Sequence, residues 1–302
     1  MNNYILLAAC ILFGVLLHHT GRLPANAASS LNGFVINISL PALTLTYVHG
    51  LKLNANLILP ALMAWVMFAL AVGFFWLAGR ALRFSRATTG ALMLTGGLAN
   101  TSFIGLPMIE TFYGPQYLGL GILIDQVGSY FVLSTLGILV ASLYSSGRSV
   151  SAKAVVRKIV MFAPFQAFVL ALLLIPLEYP TWLAELLNRL GATLVPIALV
   201  SVGYQLQLSY VQGRTLALTV GLVFRLVIAP ALILILFARW LGGEGQLLNV
   251  TVFEAAMGPM IGASIVAIDH ELDPPLVTLM VGLGIPLSFV TLPVWWRLLE
   301  LI

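Results

Sequence analysis

Gly96-Gly97-Leu98-Ala99-Asn100-Thr101-Ser102, followed by Gly105 and Pro107, cuts through an apolar run that extends from Ala87 to Tyr113. A second run, from Leu247 to Asp269, is cut in the same way by Met257-Gly258-Pro259-Met260-Ile261-Gly262-Ala263-Ser264. Interrupting a helix in a bilayer frees N–H and C=O groups that cannot stay unpaired in hydrocarbon, so each break must face protein, water or a ligand. The half-helix that starts after a break also presents free N–H donors and a partial positive charge, which suits a carboxylate. Glycine and proline in membrane helices can instead serve only kinks and close packing. Two breaks in matching places argue for a site.

Outward from the breaks, the whole chain reads as a membrane protein. Of its 302 residues, 61% are hydrophobic and 8% charged, where a soluble domain carries roughly 25% charge. Mean hydropathy is +1.06. The excess of 14 Lys and Arg over 10 Asp and Glu lies in short loops between apolar runs, the pattern of a membrane protein rather than of a nucleic-acid binder. A single cysteine, Cys10, excludes an internal disulfide and a cysteine zinc site, and His18, His19, His49 and His270 show no ligand spacing. No metal or cofactor is expected.

A spanning helix needs roughly 20 apolar residues. Ten candidates run from Tyr4 to Leu17, Leu31 to His49, Leu57 to Ala78, Ala87 to Tyr113, Leu118 to Tyr144, Ile159 to Leu177, Gly191 to Leu208, Leu216 to Arg239, Leu247 to Asp269 and Leu276 to Leu299. Ala25-Asn26-Ala27 resembles a signal-peptidase site, but Met1-Asn2-Asn3 supplies no positive segment and cleavage is not expected. The odd-numbered loops hold nine Lys and Arg, among them Arg80, Arg83, Arg86 and Arg148, against four on the other side. The positive-inside rule then makes the odd loops cytoplasmic and puts both termini outside the cytoplasm.

The polar connection from Ser145 to Lys158 divides the spans five and five, giving repeats 1–150 and 151–302. Pro24 through Leu31-Asn32 to Pro41 has a counterpart in Pro180 through Leu187-Asn188 to Pro196. Five is odd, so the second copy enters the membrane in the opposite sense. The expected fold is an all-α polytopic membrane protein of ten transmembrane helices in two inverted five-helix repeats. Inverted repeats with matching Gly/Pro-broken spans characterise secondary transporters.

Leu98-Ala99-Asn100-Thr101-Ser102-Phe103-Ile104-Gly105-Leu106-Pro107 with Tyr113-Gly114 resembles the fourth-span motif of the auxin efflux carrier family, which includes the plant auxin exporters and many bacterial carriers. Ala255-Ala256-Met257 with Pro259, and the run from Pro274 through Gly284-Ile285-Pro286-Leu287 to Leu292-Pro293, are similar to that family as well. The resemblance implies that spans 4 and 9 cross at their breaks. It also implies that spans 1, 2, 6 and 7 form a scaffold and a homodimer interface, while spans 3 to 5 and 8 to 10 move past it as an elevator with a small organic anion. Asn100 and Gln126 match substrate-contacting positions of plant members. Two departures, the uncharged Asn54 and Asn56 in the third span and the short central loop, point away from auxin and toward a bacterial-type carboxylate carrier of the cell membrane.

Around the breaks the expected substrate contacts are Asn100, Thr101, Ser102, Gln126, Pro259 and Met260, with Ser39 and Ser201 facing the crossover and Gly105, Pro107, Gly258 and Gly262 shaping it. Asp125, Glu254 and Arg225 lie deep inside their spans, where ionisable groups are costly and functional by default. They are expected either to couple transport to sodium or a proton or to form an ion pair, Arg225 with Glu254 or Asp125. Glu110 and Asp269, at span ends, are expected at the interface, with Trp295 and Trp296 as interfacial anchors. A bile-acid-type sodium symporter is the rival within transport. A channel would need no alternating access. The alternative from another class, an intramembrane enzyme, would need a catalytic constellation, and the chain has no H-E-x-x-H, no Asp-rich diphosphate motif and no Ser with a His at membrane depth.

Overall fold

The computed structural model describes residues 2–24, 26–50, 57–145, 152–205 and 214–301. Asn54, Asn56, Arg148 and the expected repeat boundary at residue 150 lie outside them. The described chain is helical, and its only β-type pairing is one isolated bridge. In order the helices are α1 (Asn2–Thr20), α2 (Ala27–His49), α3 (Ile58–Ala81), α4 (Arg86–Gly97), α5 (101–112), α6 (Pro115–Tyr144), α7 (Ala152–Val160), α8 (Ala163–Leu174), α9 (Thr181–Gln205), α10 (Thr215–Arg239), α11 (Gly245–Ala255), α12 (Ile261–Asp269) and α13 (Pro274–Leu299). Among the described residues, six of these (α2, α3, α6, α9, α10 and α13) are long and apolar enough to cross a membrane. The runs expected as spans 4 and 9 are absent from the six because each is cut into two short helices, α4 with α5 and α11 with α12.

Several long helices widen into π-helical turns, at Val35–Ser39, Thr101–Gly105, Ile124–Tyr130, Leu133–Gly137 and Phe224–Ile228. Such turns are frequent at functional sites. They also disturb the backbone ladder, and two indoles satisfy carbonyls there: Trp65 Nε1 donates to Val127 at 3.0 Å and Trp295 Nε1 to Leu226 at 2.8 Å. Trp295 therefore ties α13 to α10 as well as lying near the end of its helix.

Two sets of close helix pairs stand out, and they touch each other where α2 meets α6 and α9 meets α5. In one, α1 lies along α9, and α2 packs on both α8 and α9. Backbone approaches backbone at the α1–α9 seam, where a Cβ on Gly14 would sit 2.2 Å from the Val200 carbonyl oxygen and one on Gly203 2.2 Å from that of Ile11. Hydroxyls join the same group: Ser39 to Thr193 at 2.7 Å, Ser201 to Asn32 Oδ1 at 2.6 Å, and Tyr204 to the carbonyls of Leu23 and Pro24. In the other group, α3 packs on α4 and α6, α10 on α11, and α13 on α4 and α10. Arg214 Nε pairs with Asp273 Oδ1 at 2.8 Å, and Asp273 Oδ2 also accepts from Thr88 Oγ1 at 2.8 Å. It fastens the starts of α4, α10 and α13 together.

Close approach at the α1–α9 seam makes both glycines intolerant of any side chain. Gly203→Ala must push the two backbones apart, a cost of about 1–3 kcal/mol for overpacking. The variant is expected to melt several degrees below the parent in detergent, while Gly33→Ala, at a position with open space around it, is expected to melt with it.

Candidate functional site

The two breaks meet. Helix α4 ends at Gly97, Leu98 turns extended (φ −117°, ψ 124°), and α5 starts after Asn100. Helix α11 ends at Ala255, and Met260 is extended (φ −73°, ψ 124°) before α12. Ala99 pairs with Pro259 as an antiparallel bridge, in which Asn100 N–H donates to Gly258 O at 2.9 Å and Met260 N–H to Leu98 O at 3.0 Å. Each interrupted run thus satisfies part of the other's freed backbone. Gly258 and Gly284 permit this, since a Cβ on Gly284 would lie 2.7 Å from the Pro259 ring.

Broken helices also leave free carbonyls at their C-terminal ends. Arg225, fully buried in the π turn of α10, donates from Nη1 to Gly96 O at 3.1 Å and from Nη2 to Ala255 O, with Met67 Sδ also against Nη2. One guanidinium therefore holds the last turns of both α4 and α11, where the negative ends of two helix dipoles converge. This corrects the expected ion pair: Arg225 is bound to backbone oxygens, and neither Glu254 nor Asp125 supplies its partner. The carbonyls prevail because they are fixed in place by the breaks and lack any other donor.

Asn100 caps α5, its Oδ1 accepting from Phe103 N–H at 3.1 Å, while its Nδ2 is buried without a partner. Next to it, Thr101 Oγ1 donates to Asp125 Oδ1 at 2.6 Å and Gln126 Nε2 donates to Asp125 Oδ2 at 2.7 Å. Gln126 Oε1 has no hydrogen-bond partner. Ser102 is buried in the first turn of α5 and Pro107 lies at the start of its α-helical part. Glu254, in the last turn of α11, is fully buried and neither carboxylate oxygen has a hydrogen-bond partner. The structure therefore joins Thr101, Asp125 and Gln126 of α5 and α6 by hydrogen bonds, with Asn100 next to Thr101 in the chain, and ties Gly258, Pro259 and Met260 to Leu98–Asn100 through the bridge.

Ser39 and Ser201 are placed differently. Their hydroxyls bond Thr193 and Asn32 in the α2–α9 seam, and α9 packs in turn on the first turn of α5. A buried hydroxyl finds the nearest partner across its own helix pair. Gly262 packs its Cα side toward Leu133. Glu110 lines a cavity of about 220 Å³ between α2, α5 and α9 together with Tyr47 and Asn188. No group of three or more His, Cys, Asp or Glu able to hold a metal occurs among the described residues.

Three roles escaped the sequence reading: Arg225 as a carbonyl clamp, Met67 beside it, and Gly121 beside Glu254. The first had a signal, since two breaks with one deep arginine pose a count of orphaned carbonyls against available donors. If the clamp is structural, Arg225→Leu loses two charge-assisted bonds, each worth roughly 1.5–3 kcal/mol. A large drop in melting temperature is expected, and Arg225→Lys, with a single point of donation, should recover only part of it.

Residues 4–296 match the family model described as membrane transport protein. The chain is similar to an uncharacterized transporter of Methanothermobacter thermautotrophicus, 28% identical over 290 residues covering 94% of this chain and 93% of the relative. It is also similar to an uncharacterized transporter of Methanocaldococcus jannaschii, 24% identical over 311 residues and covering 99% of each. The chain belongs to the membrane transport protein family, the auxin efflux carrier family that its fourth-span motif resembles.

Proposed function

We propose that this membrane transporter is a secondary carrier of small organic anions in the cell membrane, with ten spans in two inverted repeats, both termini outside the cytoplasm, and a substrate site at the paired breaks. The observation that carries the reading is the junction itself: a buried amide donor with no partner, Asn100 Nδ2, lies beside the starts of α5 and α12. Free donors and helix N-termini recognise a carboxylate. The substrate lies against Asn100, Thr101, Ser102, Gln126, Pro259 and Met260. A homodimer forms through the scaffold helices, which are α1, α2, α8 and α9.

The packing supports an elevator. Each interhelical side-chain hydrogen bond described above falls within one of the two helix groups, and contacts between the groups include stacked rings such as Tyr130 on Phe162, 3.9 Å between centroids. Asp125 and Glu254 are the two deep carboxylates available to couple the movement to a cation. With Arg225 engaged by carbonyls, neither is consumed in an ion pair.

A thermal-shift screen against acetate, succinate, malate and indole-3-acetate tests the substrate class, since a ligand at 100 times its Kd adds about 2.7 kcal/mol to the native state. Asn100→Ala should then weaken the carboxylate that binds by about ten- to a hundredfold, the value of a donor to a charged group, with folding retained. Unchanged affinity would remove Asn100 from the site. For the movement, a cysteine replacing Ser102 in a Cys10→Ala background should be labelled from the outside in one condition and from the inside in another, shifted by the bound carboxylate. Labelling from one side under every condition would rule out the elevator.

A further inference from the structure

Glu254 occupies a seat built for an uncharged group. Its carboxylate lies between α5 and α6 at two glycines: a Cβ on Gly105 would come within 2.4 Å of Oε2, and one on Gly121 would stand 3.4 Å from Oε1. The same Gly121 position is walled by Leu106 and Ile109 carbons. No donor reaches either oxygen, and the residue has no exposed surface. The α5–α6 register is antiparallel: Thr101 bonds Asp125, and four residues further on Gly105 lies across from Gly121, both touching Glu254. Asp125 and Glu254 therefore follow each other along one groove, about one helical turn apart.

The two carboxylates are provided for unequally. Asp125 accepts from Thr101 and Gln126, as an anion requires, whereas Glu254 accepts nothing. The helices packed on α11 are α3, α5, α6, α10 and α13. Their charged groups are Arg80, Glu110, Asp125, Arg225, Arg239 and Arg297. Arg80, Arg239 and Arg297 stand in the last turns of their helices, Glu110 faces the cavity beside Tyr47, and Arg225 is held by Gly96 and Ala255. Among the described residues no cation is paired with Glu254, and a second anion lies one turn away. An isolated buried carboxylate is so costly that the group takes up a proton instead.

We propose that Glu254 is the proton-binding site of this transporter: it holds a proton on one carboxylate oxygen in the conformation described here and exchanges it with water when the breaks are carried to the other side. The proposal rests on the carrier reading for its link to transport, but the proton itself is measurable without a substrate.

Infrared difference spectra of the purified protein in detergent at neutral pH, taken in H2O and D2O, read the carbonyl stretch of a protonated carboxylic acid. The expected result is a band in the parent that is lost in Glu254→Gln and kept in Asp125→Asn. A band absent from the parent, or retained in full by Glu254→Gln, overturns the proposal. Melting temperature supplies a second measurement. A group protonated in the fold and ionised in the unfolded chain destabilises the fold as pH rises, so the parent should lose more melting temperature than Glu254→Gln between mildly acidic and alkaline buffer. If sodium chloride raises the parent's melting temperature above potassium chloride, and Glu254→Gln abolishes the difference, the site binds sodium and the proton assignment fails. With a carboxylate that passes the thermal-shift screen, uptake into proteoliposomes should vary with pH in the parent and stay flat in Glu254→Gln; pH-dependent uptake in both overturns the coupling. A screen with no carboxylate hit would defeat the anion-carrier reading and leave the infrared result to decide the proton site on its own.

Discussion

Backbone polarity in an apolar surrounding is the constraint on which the rest of this structure depends. Two runs that would otherwise be continuous helices are cut, and each cut exposes N–H and C=O groups where no water is at hand to take them. The solution is mutual. Two N–H groups are taken by the opposite break through the Ala99–Pro259 bridge, and carbonyls at the ends of α4 and α11 are taken by one guanidinium. Neither break is satisfied alone, so the two halves of the sequence are bound at their least regular points, and the glycines around them are required by close approach rather than by looseness.

Four of the atoms left unsatisfied around the junction form a chemical pattern. Asn100 Nδ2 is a donor without an acceptor; Gln126 Oε1 and both oxygens of Glu254 are acceptors without donors. These groups belong to α5, α6 and α11, the elements that enclose the junction. Gathered around the junction, these are the atoms that a ligand at the proposed site would complete. Donor and acceptor orphans together suit a carrier that takes an anion with a proton. The net charge moved is then small, which lowers the cost of passing through a low-dielectric region.

The sequence carried the apolar runs, the positions of the two cuts and the family motif, because hydropathy and Gly/Pro placement are local signals. It did not carry the partners. Arg225 bonds Gly96 from 129 residues away and Met67 from 158, and no local pattern says whether a deep arginine meets a carboxylate or a carbonyl. For Ser39 and Ser201 too, depth was legible but not the partner that each hydroxyl meets, Thr193 and Asn32. Asn100, Thr101, Asp125 and Gln126 were legible because motif and adjacency place them on two neighbouring helices. The unequal provision of donors to Asp125 and Glu254 appears only in three dimensions.

The division of hydrogen bonds between the helix groups bears on how such a molecule could move. Within the group of α1, α2, α8 and α9, hydroxyl bonds and the Gly14 and Gly203 approaches fix the helices to one another. Within the other group, the bridge, the Arg225 clamp, the two indole bonds and the Arg214–Asp273 pair do the same. Across the boundary, side chains meet through apolar and aromatic contacts, such as Phe131 on Phe165, and through the cavity beside Glu110. Sliding one group past the other exchanges dispersion contacts, which are individually weak and readily replaced by similar ones. Breaking up either group would instead expose unpaired polar atoms at roughly 1–3 kcal/mol each. Under the elevator reading proposed above, that difference has the junction travel whole.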